Sequence, residues 1–197
     1  YTDAGATATD SVDGDLSGSI TATSTVNTSA VGSYTVNYTV KDAAGNKASP
    51  VNRTVKVVDT TKPVITLLGN AVETVEAKTA YEDAGASGSD TLDGSLSVAS
   101  VSIVNTDAVG SYTVIYSVSD ANGNTAEPVV RIVKVVDTTP PVITLAGDAV
   151  ATVEAGSGYT DAGATATDSV DGDLSGSITA TSTVNTSAVG SYTVNYT

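Results

Sequence analysis

The chain has 197 residues and a formal net charge of −14, so it offers no basic surface for a nucleic acid or an anionic membrane. It contains no His, Cys, Met, Trp or Phe, which excludes a Ser-His-Asp triad, a thiol nucleophile, a disulfide staple and an ordinary zinc site. Only carboxylate or lysine chemistry remains for catalysis, and a module repeated in tandem without aromatic platforms is a poor place for an active site. The chain reads as non-enzymatic, and no apolar run is long enough for membrane insertion.

Thr, Ser, Val, Ala and Gly dominate, and no 3.6-residue apolar stripe occurs, which predicts an all-β fold. Residues 1–39 recur letter for letter at 159–197, an offset of 158 residues. A diverged copy lies between them, so the unit is about 79 residues long and two units alternate. Three domains are predicted. Residues 1–58 are a partial repeat lacking its first strand, 59–137 a complete repeat, and 138–197 a partial repeat lacking its last strand. Such ends predict a window on a longer array, or an assembly in which neighbouring chains complete the ends.

In chain order, the first repeat carries the acidic loop DSVDGDL (Asp10–Leu16) and a strand with Tyr34, Tyr38 and Val40 on one face. The second opens on the linker at Asp59. It then predicts strands over 64–76 (kinked at Gly69), 84–89, 97–104, 111–119 and 126–136. The loop DTLDGSL (Asp90–Leu96) follows the second strand, and DANGN (Asp120–Asn124) makes the hairpin between the last two. Tyr112, Val114, Tyr116 and Val118 share a face, the period of a half-buried antiparallel sheet, so these tyrosines are expected in the core. The third repeat returns DSVDGDL at Asp168–Leu174. Lys56 and Lys134 alternate against Val57 and Val135, which places them in solvent and argues against a lysine isopeptide crosslink.

The segment TDAVGSYTV (Thr106–Val114) resembles the corner leading into strand F of an immunoglobulin-like domain, where a Tyr anchors the turn. With DTTPPVITL, YTDAGATATDSVDGDL and GSYTVNYTVKDAAGN, the whole chain resembles bacterial Ig-like tandem repeats of the pesticidal-crystal-protein and hyalin-repeat type, found in surface proteins. That resemblance implies head-to-tail β-sandwich domains acting as stalks or adhesion modules. The chain departs from antibody domains in having no Cys pair and no core Trp.

Alternating strand direction brings Asp59, Asp90, Asp93, Asp120 and Asn124 to the pole where the preceding repeat enters, unless Gly69 turns the first strand into a hairpin. The corresponding residues elsewhere are Asp137, Asp168, Asp171 and Asp173, and Asp10, Asp13 and Asp15. Hard cations take six to eight oxygens, so Ca²⁺ is the cofactor this pattern suits. The other reading is that Asp-Gly and Asn-Gly are turn residues whose acids are solvated. DSVDGDL lacks the EF-hand spacing, and Asp15 is replaced by Ser95 in the middle copy.

The expected function is therefore a structural repeat of a bacterial extracellular filament, stalk or adhesin, at the cell surface. It would form a semi-rigid rod with Pro-stiffened linkers and calcium at its junctions. The expected partners are neighbouring copies of the repeat, including filament self-assembly. The alternative is a cell-adhesion module whose loop tips bind a surface glycan or protein.

Overall fold

The computed structural model describes all 197 residues. It is all-β, without an α-helix. The first repeat contributes β1 (Thr9–Asp10), β2 (Gly14–Asp15), β3 (Thr21–Ser24), β4 (Gly32–Thr39) and β5 (Val51–Val57). The second contributes β6 (Val64–Leu67), β7 (Val72–Glu76), β8 (Ala86–Asp90), β9 (Gly94–Leu96), β10 (Ala99–Ser102), β11 (Gly110–Ser117) and β12 (Val129–Val136). The third contributes β13 (Val142–Leu145), β14 (Ala164–Asp168), β15 (Gly172–Asp173), β16 (Ala180–Ser182) and β17 (Val194–Tyr196).

In the second repeat one sheet has the order β10-β11-β12-β7 and the other β6-β8-β9. All pairs in the four-stranded sheet are antiparallel except β12 with β7, which is parallel from Ile132↔Val72 to Val136↔Glu76. The predicted long first strand is thus two strands in two sheets. Gly69, at φ +79°, makes the crossing in the left-handed region that a side chain disfavours. The chain kinks there without reversing, so the hairpin alternative does not arise.

Several boundaries differ from expectation, with β8 at Ala86–Asp90 in place of 84–89 and β10 at Ala99–Ser102 in place of 97–104. β11 stops at Ser117 and β12 starts at Val129, although pairing was predicted up to Ser119 and from Ala126. Pro128 brings no N–H to the ladder, and only the isolated bridge Ser119↔Thr125 lies beyond the strands. The short β2, β9 and β15 were not foreseen. They arise because the acidic loops are hairpin tips, with Asp10↔Gly14, Asp90↔Gly94 and Asp168↔Gly172 as closing pairs.

Residues 1–65, 87–98 and 118–127 form one compact unit, and residues 66–86, 99–117 and 128–197 form a second. The first holds β3-β4-β5, with Val36 and Tyr38 buried, and also buries Ile65, Val118 and Ala126. The second holds the four-stranded sheet, whose inner face buries Val114, Tyr116, Val133 and Val135. Tyr38 and Tyr116 are core as expected, whereas Tyr34 and Tyr112 are only half-buried. Their hydroxyls instead donate four residues back, to the carbonyls of Ala30 (2.9 Å) and Ala108 (2.8 Å), and Tyr192 does the same to Ala188 (3.1 Å). This is the turn-anchoring tyrosine of an immunoglobulin-like corner. Lys56 and Lys134 are exposed, as their alternation predicted.

The second unit also contains a side chain the sequence reading did not single out. Arg131, on the inner face of β12, is fully buried. Its guanidinium donates to the carbonyls of Leu68, Asn70 (3.0 Å) and Gly85 (3.1 Å), pairs with Asp83, and lies 5.6 Å from the Tyr116 ring centroid. The carbonyls of Leu68 and Asn70 flank the Gly69 kink, so the arginine satisfies backbone groups on either side of the crossing. Tyr116 and Tyr81 both donate to the Asp83 carboxylate. Arg53, Asp3 and Tyr38 repeat the arrangement in the first repeat, and Tyr196 with Asp161 repeats part of it in the third.

Burial and the bond to Asp83 raise the Tyr116 phenol above its ordinary value of 10.0. The hydrogen bond to Asp161 pushes Tyr196 up to about 12. A raised phenol pKa is a stabilising contribution that is whole below the unfolded value and lost as pH rises through the folded one. The urea midpoint should therefore hold up to about pH 10 and fall between pH 10 and 12. A midpoint flat through pH 12 would contradict this coupling.

Candidate functional site

DTLDGSL folds as a tight tip because Asp90 Oδ1 accepts the backbone N–H groups of Leu92 (2.7 Å) and Asp93 (3.2 Å), the aspartate-turn chemistry of these residues. DANGN folds on Asp120 in the same way. Its Oδ1 accepts from the N–H of Asn122 (2.9 Å) and Asn124 (2.7 Å), and its Oδ2 from Asn124 Nδ2 (2.6 Å). Asp93 Oδ2 joins the tips by accepting from Ala121 N at 2.8 Å. The linker is tied in by Asn124 Nδ2 to the Asp59 carbonyl and Asn122 Nδ2 to Asp59 Oδ2, both at 3.3 Å.

Carboxylate oxygens of Asp59, Asp90 and Asp120 consequently lie within 4.8 Å of one another. Asp120 is buried. Burial raises its pKa, but the bonds from the Asn124 side chain and from the N–H groups of Asn124 and Asn122 outweigh this and hold it below the ordinary carboxylate range. Asp90 Oδ2 is buried and has no hydrogen-bond partner. A buried oxygen without a donor is rare, and an ion is one of the few groups that explain it.

The other sequence candidates fall differently. Asp137, Asp168 and Asp171 also group within 4.8 Å. Asp171 joins this group, whereas its counterpart Asp93 is engaged by Ala121. In the first repeat Asp10 Oδ1 holds Val12 N and Asp13 N, and Asp13 Oδ2 accepts from Ala43 N (3.0 Å). These reproduce the tips without a linker carboxylate, and they form no triplet. Asp15 and Asp173 stand apart from the clusters. Each accepts the N–H of the serine two residues on, at 2.9 Å, and starts a 3₁₀ turn (Ser17–Ser19 and Ser175–Ser177). The middle repeat, with Ser95 there, has no such turn.

Asn122 and Glu76 were missed. Glu76, at the end of β7, grips the outgoing linker. Its Oε1 accepts from Thr138 N (2.8 Å), Thr139 N (3.2 Å) and Thr139 Oγ1 (2.9 Å), and its Oε2 from Thr138 Oγ1 (2.8 Å). The Thr138 N–H, followed by the Thr138 hydroxyl, lowers its pKa. The signal was available in the sequence, since TVEA recurs at Thr74–Ala77 and Thr152–Ala155 and DTT at Asp59–Thr61 and Asp137–Thr139.

Two-sheet repeats with a tyrosine corner, no cysteine pair and acidic hairpin tips define tandem immunoglobulin-like domains. The family model for the bacterial surface protein Ig-like domain matches residues 1–57, 65–135 and 143–197, and the chain belongs to that family. Such repeats are generally non-catalytic. Hyalin of Strongylocentrotus purpuratus is 33% identical over 124 residues, covering 59% of this chain and 10% of hyalin. The chain therefore spans about a tenth of this curated relative. No helix is long and apolar enough to cross a membrane.

Proposed function

We propose that the chain is a load-bearing segment of an extracellular filament, stalk or adhesin, a semi-rigid rod whose repeat junctions are held by Ca²⁺. The observation that carries the cation is the unpartnered, buried Asp90 Oδ2 in a triplet with Asp59 and Asp120. Three carboxylates this close repel unless a positive charge sits among them, and an all-oxygen set suits a hard cation. Asp59, Asp90 and Asp120 would hold one ion, and Asp137, Asp168 and Asp171 a second. Each joins a linker aspartate to a hairpin tip of the repeat that follows, so the ion would tie the entering chain to the domain. Glu76 fastens the outgoing chain by hydrogen bonds alone.

Calcium that binds only the folded state adds about 2.7 kcal/mol at a hundredfold excess over Kd. Melting with Ca²⁺ should occur several degrees above melting with chelator, and Asp90→Asn combined with Asp168→Asn should remove the difference. Equal melting temperatures in calcium and chelator would leave the acidic tips as solvated turns.

A further inference from the structure

We infer that the outer face of the sheet β10-β11-β12-β7 is a self-association surface, covered by the same face of a second copy of the chain. Its register sets Val101 beside Ile115 and Ile115 beside Val130, and in the next row Ile132 beside Val72. These five side chains are 39% to 66% exposed. The same positions of the first repeat are polar. Thr23 pairs with Asn37 and Asn37 with Asn52, while Thr54 stands where Ile132 does. Asn37 Nδ2 donates to Asn52 Oδ1 at 2.7 Å. The third repeat again pairs Thr181 with Asn195. A polar outer face is the ordinary condition of an antiparallel sheet in water, so the middle repeat is the exception.

Three considerations commit this face to another copy of the chain. The five side chains expose on the order of 400 Å² of apolar surface, which with a rim including Ser111, Thr113 and Thr74 approaches the roughly 800 Å² per partner of a stable interface. A twisted sheet face packs against its own copy about a two-fold axis, as sheets do in sandwiches. The first and third repeats are polar at these positions, so two copies would meet at the middle repeat, face to like face. The charged side chains of the face, Lys134 and Glu76, lie at one end and have opposite signs. The inference does not require the cation of the proposed function.

Sedimentation velocity of the full chain over a concentration series tests it, in calcium and in chelator. The unaltered chain should self-associate in both. The variant Val101→Thr, Ile115→Asn, Val130→Asn copies the first repeat's face and should associate roughly tenfold or more weakly. Circular dichroism checks that the variant is folded. A chain that stays monomeric throughout overturns the inference, and so does a folded variant that associates as strongly. A second readout does not depend on that variant folding. The sequence has no cysteine, so Thr113→Cys should form disulfide-linked dimers under mild oxidation and Thr35→Cys, on the polar face, should not. Equal crosslinking of the two would also overturn it.

Discussion

Replacing Arg131 with methionine is expected to destabilise the second repeat by about 3–5 kcal/mol, the range for breaking one side of a buried ion pair. Methionine keeps much of the apolar stem, so little of the loss comes from a cavity. It comes from Asp83, left without its cation, and from the carbonyls of Leu68, Asn70 and Gly85, left without donors. Urea unfolding measures the change. The double variant Arg131→Met, Asp83→Leu should recover part of it, because an apolar pair removes both charges together. Arg53→Met should cost less, since the Arg53 side chain is 36% exposed and that of Arg131 0%. Equal losses at the two arginines would show that burial does not set the effect.

Gly69→Ala is the second large effect, roughly 1–2 kcal/mol for a side chain forced into the left-handed region. The added Cβ would also stand 3.3 Å from Ala84 Cβ, so the segment leading into β8 must give way slightly. Gly18→Ala is the control. Gly18 lies in a 3₁₀ turn with no atom within 4 Å of an added Cβ and no positive φ, and its melting temperature should hold or rise slightly. A tolerated Gly69→Ala would mean that β6 and β7 can cross between sheets without that conformation.

Period-2 alternation made β11 and its neighbours legible, because a sheet with one wet face writes its register into the chain. The kink was legible from Gly69 itself, and the meeting of Asp59, Asp90 and Asp120 from alternating strand direction. Arg131 stayed hidden because an arginine in VVRIVKVV reads as a solvent position, and its acceptors lie 46 to 63 residues away in sequence. The recurrence of Tyr-x-Asp with a later inward arginine, at Tyr81 and Asp83 with Arg131 and at Tyr1 and Asp3 with Arg53, was the available signal. Asp15 and Asp173 looked equivalent to Asp13 and Asp171, but a one-turn local structure claims them. The acid decides it: the middle repeat keeps the following serine as Ser97 but has Ser95 in place of the aspartate, and no such turn forms there.

The parallel pairing of β7 with β12 has a mechanical reading. The chain reaches β7 from the upstream linker through β6, and it leaves the repeat directly from the end of β12. Tension on the two linkers would draw these strands in opposite directions along their shared axis. All five residue pairs from Ile132↔Val72 to Val136↔Glu76 would then be loaded together, in shear, rather than peeled one rung at a time. Glu76 sits at the last rung and also grips Thr138 and Thr139, so the outgoing linker is fastened to β7 just beyond the end of β12.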